Sequence, residues 1–216
     1  MIKGVIFDLD GVLVSTDELH YRAWKRLAEE LKITNFTRKD NERQRGVSRM
    51  ASLEIVLEKG EKSYSQEQKT ALAERKNDYY KELLEELNQS AVLHGAEKTL
   101  KMLRDMGIKI GVGSVSKNTP VILEKTGLAG LIDKVSCGLD ITHSKPDPEV
   151  FLIAADKLAL PYGECLVVED SVAGIEAAKA AGMKSLGVGP LSGSLGADYV
   201  AKGLDDVIPW KEILGN

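Results

Sequence analysis

Two aspartates, Asp8 and Asp10, directly follow an apolar run near the start of the chain, which reads VIFDLDGVL over residues 5–13. Aspartate is depleted in strands and is rarely buried without a partner. Side chains at positions i and i+2 of a strand project to the same side, and two carboxylates about 5 Å apart repel by roughly 3 kcal/mol at an effective dielectric of 20. Such a pair becomes favourable when a divalent cation inverts the local electrostatics.

Other polar residues that suit anion and metal chemistry follow the ends of later predicted strands. They are Ser114, Ser116, Lys117, Asn118, Glu169 and Asp170, and Lys145 lies in the loop before a predicted helix. Because ligands bind beyond the carboxyl ends of strands in open parallel sheets, we expect these side chains and the two aspartates to share one edge. All-oxygen, carboxylate-rich ligation suits Mg²⁺, while Lys145 and the hydroxyls would bind an anion beside the metal.

Each of these features also has an ordinary structural interpretation when it is taken alone. Asp10 and Gly11 suit a turn. Lys145 and Pro146 suit a surface loop, and residues 169–171 suit a helix cap. Their joint occurrence at the ends of successive strands is what favours a functional site.

The segments that must position these residues alternate between strand-like and helix-like patterns. Strands are predicted at residues 4–9, 109–113, 165–168 and 183–188, with weaker candidates near 134–137 and 197–200, and helices at residues 96–106, 120–126, 148–158 and 172–181. Asp147 and Ser171 are predicted helix N-caps. This alternation predicts an α/β fold in which helices cover a Rossmann-like parallel sheet.

A long helical insertion interrupts the alternation after the first strand. One predicted helix, residues 17–31, places His20 and Trp24 on the same face. A capping box at residues 65–68 begins a second helix that reaches about Leu87. We therefore predict a core domain of residues 1–14 and 93–216 and an inserted helical cap domain of residues 15–92.

The composition disfavours several classes of partner. The chain has 216 residues and a formal net charge of −4, which disfavours nucleic acid. No apolar run approaches the length of a membrane span or forms a signal peptide, so no membrane partner is expected. Cys137 and Cys165 form no CxxC pair, which favours reduced thiols. We expect a cytoplasmic monomer.

The motifs that carry this chemistry resemble those of the haloacid dehalogenase superfamily of phosphotransferases, over nearly the whole chain. The matching segments are DLDGV at 8–12, SVSKN at 114–118, SKPDP at 144–148 and EDSVAGI at 169–175. The inserted segment resembles the helical cap of that superfamily. Its motifs HYRAWK at 20–25, GVSR at 46–49 and RKN at 75–77 narrow the resemblance to the mutases that act on β-glucose phosphates.

The resemblance implies a role for each residue at the strand ends. Asp8 would be the nucleophile that forms an aspartyl phosphate, and Asp10 would be the general acid and base. Ser114 and Lys145 would bind the phosphoryl group in transfer. Mg²⁺ would be held by Asp8, the backbone carbonyl of Asp10, Glu169 and Asp170.

The implied reaction interconverts β-D-glucose 1-phosphate and β-D-glucose 6-phosphate. Its intermediate, glucose 1,6-bisphosphate, must turn around and rebind, so a second phosphate site is needed. Arg49 suits such a site because guanidinium groups bind phosphate with two hydrogen bonds. The implied substrate-binding residues are Thr16, His20, Trp24, Gly46, Val47, Ser48, Arg49, Ser52, Lys76, Ser116, Lys117 and Asn118.

Several alternatives stay open at this point. Trp24 and His20 also suit a packed core, and Arg49 and Lys76 suit a solvated helix surface. A sugar-phosphate phosphatase with a helical cap is the main rival function. A dehalogenase would not need Asp10, and a phospho-receiver switch would lack so large a helical insertion. Departures from the superfamily pattern at Ser15, Gln44, His94 and Val115 leave the preferred sugar and the rate open.

Overall fold

The structure, a computed structural model, describes residues 1–44 and 47–215. The chain divides into two compact units, one formed by Met1–Ser15 with the chain from Asn88 onward, and the other by Thr16–Leu87. The second unit is therefore shorter than the predicted insertion of residues 15–92. Its assignment as a cap domain stays a prediction.

The first unit contains one parallel sheet with strand order β3-β2-β1-β4-β5-β6. The six strands found in the described residues are β1 (Gly4–Phe7), β2 (Lys109–Gly113), β3 (Lys134–Ser136), β4 (Cys165–Glu169), β5 (Lys184–Gly187) and β6 (Tyr199–Val200). All four residues of β1 and all five of β4 are buried, as expected when helices cover a parallel sheet. The predicted α/β fold is confirmed.

Nine α-helices accompany the sheet within the described part of the chain. They are α1 (Asp17–Glu30), α2 (Arg38–Glu42), α3 (Arg49–Leu57), α4 (Gln66–Leu84), α5 (Ala96–Asp105), α6 (Thr119–Lys125), α7 (Glu149–Leu158), α8 (Val172–Ala180) and α9 (Trp210–Leu214). None of these helices combines the length and the apolar character that crossing a membrane requires.

The predicted helix starts are mostly confirmed, with one correction. The Ser171 side chain accepts a hydrogen bond from the Gly174 N–H and caps α8, as predicted. The N-cap of α7 is Pro148 and not Asp147. Asp147 instead uses its carboxylate to accept the Glu149 N–H at 2.9 Å, so it still satisfies a backbone donor of the first turn.

The predicted first strand is too long, and the reason bears on the two aspartates. The structure ends β1 at Phe7, because the chain turns there and the Gly11 N–H donates to the Val14 carbonyl. Asp8 keeps one ladder hydrogen bond, from its N–H to the Val168 carbonyl. Asp8 and Asp10 therefore lie beyond the strand, and their placement on one face of it was wrong.

The second unit is helical, as predicted, and has its own hydrophobic core. Trp24 and Leu27 of α1 pack in one cluster with Leu53 of α3 and Leu72 of α4, all buried. The predicted capping box at the start of α4 is confirmed, since Ser65 and Gln68 exchange hydrogen bonds between side chain and backbone. This helix ends at Leu84, three residues before the predicted Leu87.

Candidate active site

A buried lysine joins two carboxylates at the carboxyl edge of the sheet. The Lys145 ammonium donates to Asp8 Oδ1 at 2.5 Å and to Glu169 Oε1 at 2.6 Å. The Lys145 side chain is only 2% exposed, and its ammonium lies 4.7 Å from the centre of the Phe151 ring. These contacts bring together three residues that the sequence places far apart.

The sheet topology explains why Asp8 and Glu169 meet. Strand β1 pairs with β4 in parallel, with Phe7 opposite Val168. Asp8, which follows β1, and Glu169, the last residue of β4, therefore lie at the same edge of the sheet. Strand β2 lies on the other side of β1 and delivers Ser114 to this edge. The predicted convergence of Asp8, Ser114 and Glu169 on one edge therefore follows from strand order.

Charge at this edge is dominated by the acids. Burial alone would lower the pKa of Lys145, but Asp8 and Glu169 outweigh it and raise that pKa, so the ammonium is charged. Burial, with the charges of Glu169 and Asp170, raises the pKa of Asp8 well above its usual range, and Lys145 opposes this only in part. Carboxylates that one lysine does not fully offset favour a bound cation.

Two glycines create the space that these acids occupy, whereas the sequence indicated only a turn at Gly11 and no role for Gly174. A Cβ at Gly11, whose φ is +86°, would lie 2.1 Å from Asp170 Oδ2. A Cβ at Gly174 would lie 1.9 Å from the Glu169 carboxyl carbon. The signal that could have found Gly11 is its position directly after Asp10, where only a residue without Cβ allows Asp170 to approach.

The donors at this edge fit Mg²⁺ in their chemistry, since they are oxygen atoms of Asp8 and Asp170 together with the chain at Asp10. Asp10 itself is half-buried and forms an isolated backbone bridge with Val14. Glu169 is more constrained, because its Oε2 accepts the Ser171 N–H at 2.7 Å and the Ser171 hydroxyl at 2.8 Å. Its contacts connect Lys145 to the start of α8, and its role as a ligand stays a prediction.

The loop after β2 is held in a tight conformation. The buried Ser114 accepts the Ser116 N–H at 3.2 Å, and Ser116 Oγ accepts the Asn118 N–H at 3.2 Å. Asn118 is buried and is the N-cap of α6, whereas Lys117 is exposed. Hydroxyls, backbone N–H groups and a helix N-terminus together suit an anion.

A different cluster surrounds a second buried lysine in the helical unit. Lys76 Nζ lies 2.8 Å from His20 Nδ1 and 4.5 Å from the centre of the Trp24 ring. His20 stacks on Tyr80, with ring centres 4.1 Å apart. Burial, aided by the charges of Lys76 and Arg49, lowers the pKa of His20 well below its usual range, so the neutral imidazole accepts from the ammonium.

Arg49, the predicted phosphate ligand, begins α3 and contacts α4. Its Nη2 donates to Asn77 Oδ1 at 2.9 Å, and its Nη1 lies 3.3 Å from Glu74 Oε1. The Arg49 side chain is 22% exposed, so it is not simply a solvated charge. Asn77 was not singled out from the sequence except as part of the RKN segment.

The remaining predicted substrate residues have varied surroundings within this unit. Ser48 caps α3 by accepting the Ala51 N–H at 3.2 Å, and the buried Ser52 accepts the Gln44 side-chain amide at 2.9 Å through its carbonyl. Thr16 is buried at the start of α1, and Val47 is half-buried. Gly46 lies outside the described residues. Their roles toward a substrate stay predictions.

Known proteins resemble this chain along most of its length. Residues 2–182 match the haloacid dehalogenase-like hydrolases. The β-phosphoglucomutase of Bacillus subtilis (strain 168) is 40% identical over 208 residues, which cover 95% of this chain and 92% of that protein. A phosphorylated carbohydrates phosphatase of Thermotoga maritima is 30% identical over 188 residues, covering 86% of this chain and 84% of that protein.

A solved structure also resembles this chain over nearly its whole length. The crystal structure of β-phosphoglucomutase from Clostridium difficile superposes with a TM-score of 0.90 and 37% identity, and the match covers 99% of this chain and 96% of that one. The resemblance first drawn from short motifs is thereby confirmed over the whole fold. The chain belongs to the haloacid dehalogenase-like hydrolase family, an enzyme superfamily in which it is a homologue of the β-phosphoglucomutases.

Proposed function

We propose that this protein is a Mg²⁺-dependent β-phosphoglucomutase, which interconverts β-D-glucose 1-phosphate and β-D-glucose 6-phosphate through glucose 1,6-bisphosphate. The observation that carries the proposal is the presence of two cationic clusters of different kinds. Lys145 contacts carboxylates in the first unit. In the second unit Lys76 contacts His20 and the rings of Trp24 and Tyr80, and Arg49 contacts Asn77 and the exposed Glu74. A bisphosphate that is bound in two orientations needs cations for both phosphates.

The chemical step uses the two aspartates in turn. Asp8 attacks the phosphorus at C1 of the bisphosphate, the bond from phosphorus to the C1 oxygen breaks, and Asp10 donates a proton to that oxygen. The product is glucose 6-phosphate and an aspartyl phosphate. In the other half of the cycle the phosphoryl group passes from Asp8 to the C6 hydroxyl of glucose 1-phosphate, whose proton returns to Asp10.

Lys145 and Ser114 bind the phosphoryl group in transfer. Because the Lys145 ammonium is already hydrogen-bonded to Asp8, it holds the nucleophile and lies where negative charge develops. Asp8, the Asp10 carbonyl, Glu169 and Asp170 would hold Mg²⁺, which neutralises phosphoryl oxygens when it is bound.

Recognition of the sugar and of the second phosphate is assigned to the remaining predicted residues. Arg49 binds the phosphate that is not in transfer, and the Ser116–Asn118 loop supplies further donors on the core. Lys76 and the neutral His20 offer a charge and a ring to the sugar. Thr16, Trp24, Gly46, Val47, Ser48 and Ser52 complete the proposed set. The two buried free cysteines, Cys137 and Cys165, support a reducing compartment such as the cytoplasm.

One assay tests the reaction directly. The protein is incubated with Mg²⁺, β-glucose 1-phosphate and a trace of glucose 1,6-bisphosphate, while glucose 6-phosphate and free phosphate are measured together. A mutase yields glucose 6-phosphate with little free phosphate, and its turnover depends on the bisphosphate and stops with a chelator. Absence of glucose 6-phosphate would overturn the proposal.

A sugar-phosphate phosphatase is the second candidate, favoured by the 30% identity to the phosphatase of Thermotoga maritima. The same assay separates the two functions. A phosphatase admits water to the aspartyl phosphate, so free phosphate would appear in proportion to the substrate consumed. Isomerised sugar would be absent.

A further inference from the structure

Arg49 has two acceptors on α4 that differ in charge and in burial. Asn77 Oδ1 accepts from Nη2 at 2.9 Å, and Asn77 is 5% exposed. Glu74 Oε1 lies 3.3 Å from Nη1, and its side chain is 58% exposed. One acceptor is a neutral, buried amide, and the other is a solvated carboxylate.

The packing of the two helices explains why Asn77 is the rigid partner. Asn77 follows the buried Ala73 by four residues, so both lie on the same face of α4. Ala73 belongs to the buried cluster that joins α4 to Leu53 and Val56 of α3 and to residues of α1. The buried Asn77 amide meets the first residue of α3, Arg49, through the 2.9 Å hydrogen bond.

The neutral charge of Asn77 matters for an arginine that must bind an anion. A guanidinium has five N–H donors. One hydrogen bond donated to the neutral Asn77 amide orients the group, adds no negative charge beside it and leaves other donors for an anion. A buried carboxylate in the same place would form a full ion pair and compete with phosphate. Glu74 does not compete to the same degree, because its carboxylate is largely exposed and water screens its attraction to Arg49.

We propose that Asn77 is a positioning residue for Arg49, which orients the guanidinium toward the second phosphate of a sugar phosphate without neutralising it. The inference rests on the proposed function, because it assumes that Arg49 binds that phosphate. It assigns the selectivity for phosphorylated sugars to two residues: Arg49 carries the positive charge, and Asn77 orients the Arg49 side chain.

The test compares Asn77→Asp and Asn77→Ala with Glu74→Gln, each made in the wild-type protein and in Arg49→Ala. Asn77→Asp keeps the size and the acceptor but adds the negative charge. We expect it to raise KM for β-glucose 1-phosphate about tenfold, the change that 1.4 kcal/mol produces, with a smaller change in kcat. Glu74→Gln is the control and should change KM less than about twofold.

Two further readouts exclude a purely structural role for Asn77. Phosphorylation of Asp8 by acetyl phosphate, which has no second phosphate, should be unchanged in both Asn77 variants. In the Arg49→Ala background the Asn77 changes should have no additional effect on KM, since contacting residues that act as a unit are not additive. Thermal melting checks that each variant folds, and Asn77→Ser replaces any variant that does not.

The outcomes separate this inference from the proposed function. An unchanged KM in folded Asn77→Asp and Asn77→Ala overturns the positioning role, as does an equal loss in the Arg49→Ala background. A Glu74→Gln effect as large as that of Asn77→Asp also overturns it. If Arg49→Ala itself leaves KM unchanged, or if the wild-type protein makes no glucose 6-phosphate, it is the proposed function that fails.

Discussion

The two units each bury a lysine ammonium, and they surround it in opposite ways. Lys145 contacts the carboxylates of Asp8 and Glu169, whereas the contacts of Lys76 include a neutral imidazole and the rings of Trp24 and Tyr80. A lysine between two carboxylates has its charge neutralised by them and holds both carboxylates in place. A lysine on aromatic faces is stabilised in part by the negative faces of the rings, which are weaker partners for an ammonium than a carboxylate is.

From this comparison we expect the two units to have different roles in the reaction. The first unit should supply chemistry that every phosphate donor needs, and the second should supply recognition that only a sugar phosphate needs. Substitutions in the first unit are therefore expected to affect all donors, and those in the second to affect only donors with a second phosphate.

The largest effect is expected from Asp8→Asn in the first unit. An amide cannot form an acyl phosphate, so transfer from both acetyl phosphate and glucose bisphosphate should be abolished. The fold should persist because Lys145 keeps its hydrogen bond to Glu169. Circular dichroism and a phosphoryl-transfer assay measure the two outcomes, and a folded variant with more than a few per cent of the wild-type activity contradicts the assignment of the nucleophile.

Asp10→Asn should be the next most severe change. The variant keeps the backbone carbonyl proposed as a Mg²⁺ ligand, so metal affinity should be near that of the wild type. Loss of proton transfer should lower kcat about 10²–10⁴-fold, as is typical of general acid–base catalysis. Calorimetry with Mg²⁺ and steady-state kinetics check both expectations. Weak Mg²⁺ binding with normal turnover would contradict the role of the Asp10 side chain as general acid and base.

Replacement of the two buried lysines, Lys145 and Lys76, should lower the free energy of unfolding by different amounts. Lys145→Met leaves Asp8 and Glu169 buried without their shared partner, and we expect a loss of about 3–5 kcal/mol in the free energy of unfolding. Lys76→Met places an apolar chain among aromatic rings and should cost less than about 2 kcal/mol. Urea unfolding of both variants measures the difference. Equal losses would remove the distinction between the two sites.

Arg49→Ala should have a smaller and more selective effect. Loss of a charge-assisted contact costs about 1.5–3 kcal/mol, which corresponds to a decrease in mutase kcat/KM of roughly 10–150-fold. Transfer from acetyl phosphate should change little, because Asp8, Ser114 and Lys145 are untouched. The ratio of the two activities is the measurement. An equal decrease in both would indicate a structural role for Arg49, and no decrease in either would favour the phosphatase.

The smallest effect concerns the protonation of His20. Because its pKa in the folded protein lies well below the usual range, the unfolded chain binds a proton that the folded chain does not. The wild-type protein should therefore lose stability relative to His20→Gln as the pH falls below about 6.5, by up to about 1.4 kcal/mol per pH unit. Chemical unfolding at pH 7.5 and 5.5 tests this, and parallel pH profiles of the two proteins would contradict a neutral His20 in the folded state.

More of the fold than of the side-chain contacts in the site could be predicted from the sequence. Continuous apolar runs indicated the buried strands. The Ser65–Gln68 capping box indicated the start of α4, and Ser171 indicated the start of α8. The error at Asp147 was local, because an aspartate can serve a first turn from outside the cap position. The error at Asp8 and Asp10 arose because the sequence did not reveal where the chain turns after Phe7.

The sequence by itself determined which groups are present and that the acids follow buried strands, because strand composition and capping are local properties of the chain. Only the tertiary structure decided which groups touch. The pairing of Lys145 with Asp8 spans 137 residues and depends on strand order, and the pairing of Arg49 with Asn77 depends on how α3 packs against α4. Such contacts follow from the assembly of distant elements, which no short segment of the sequence encodes.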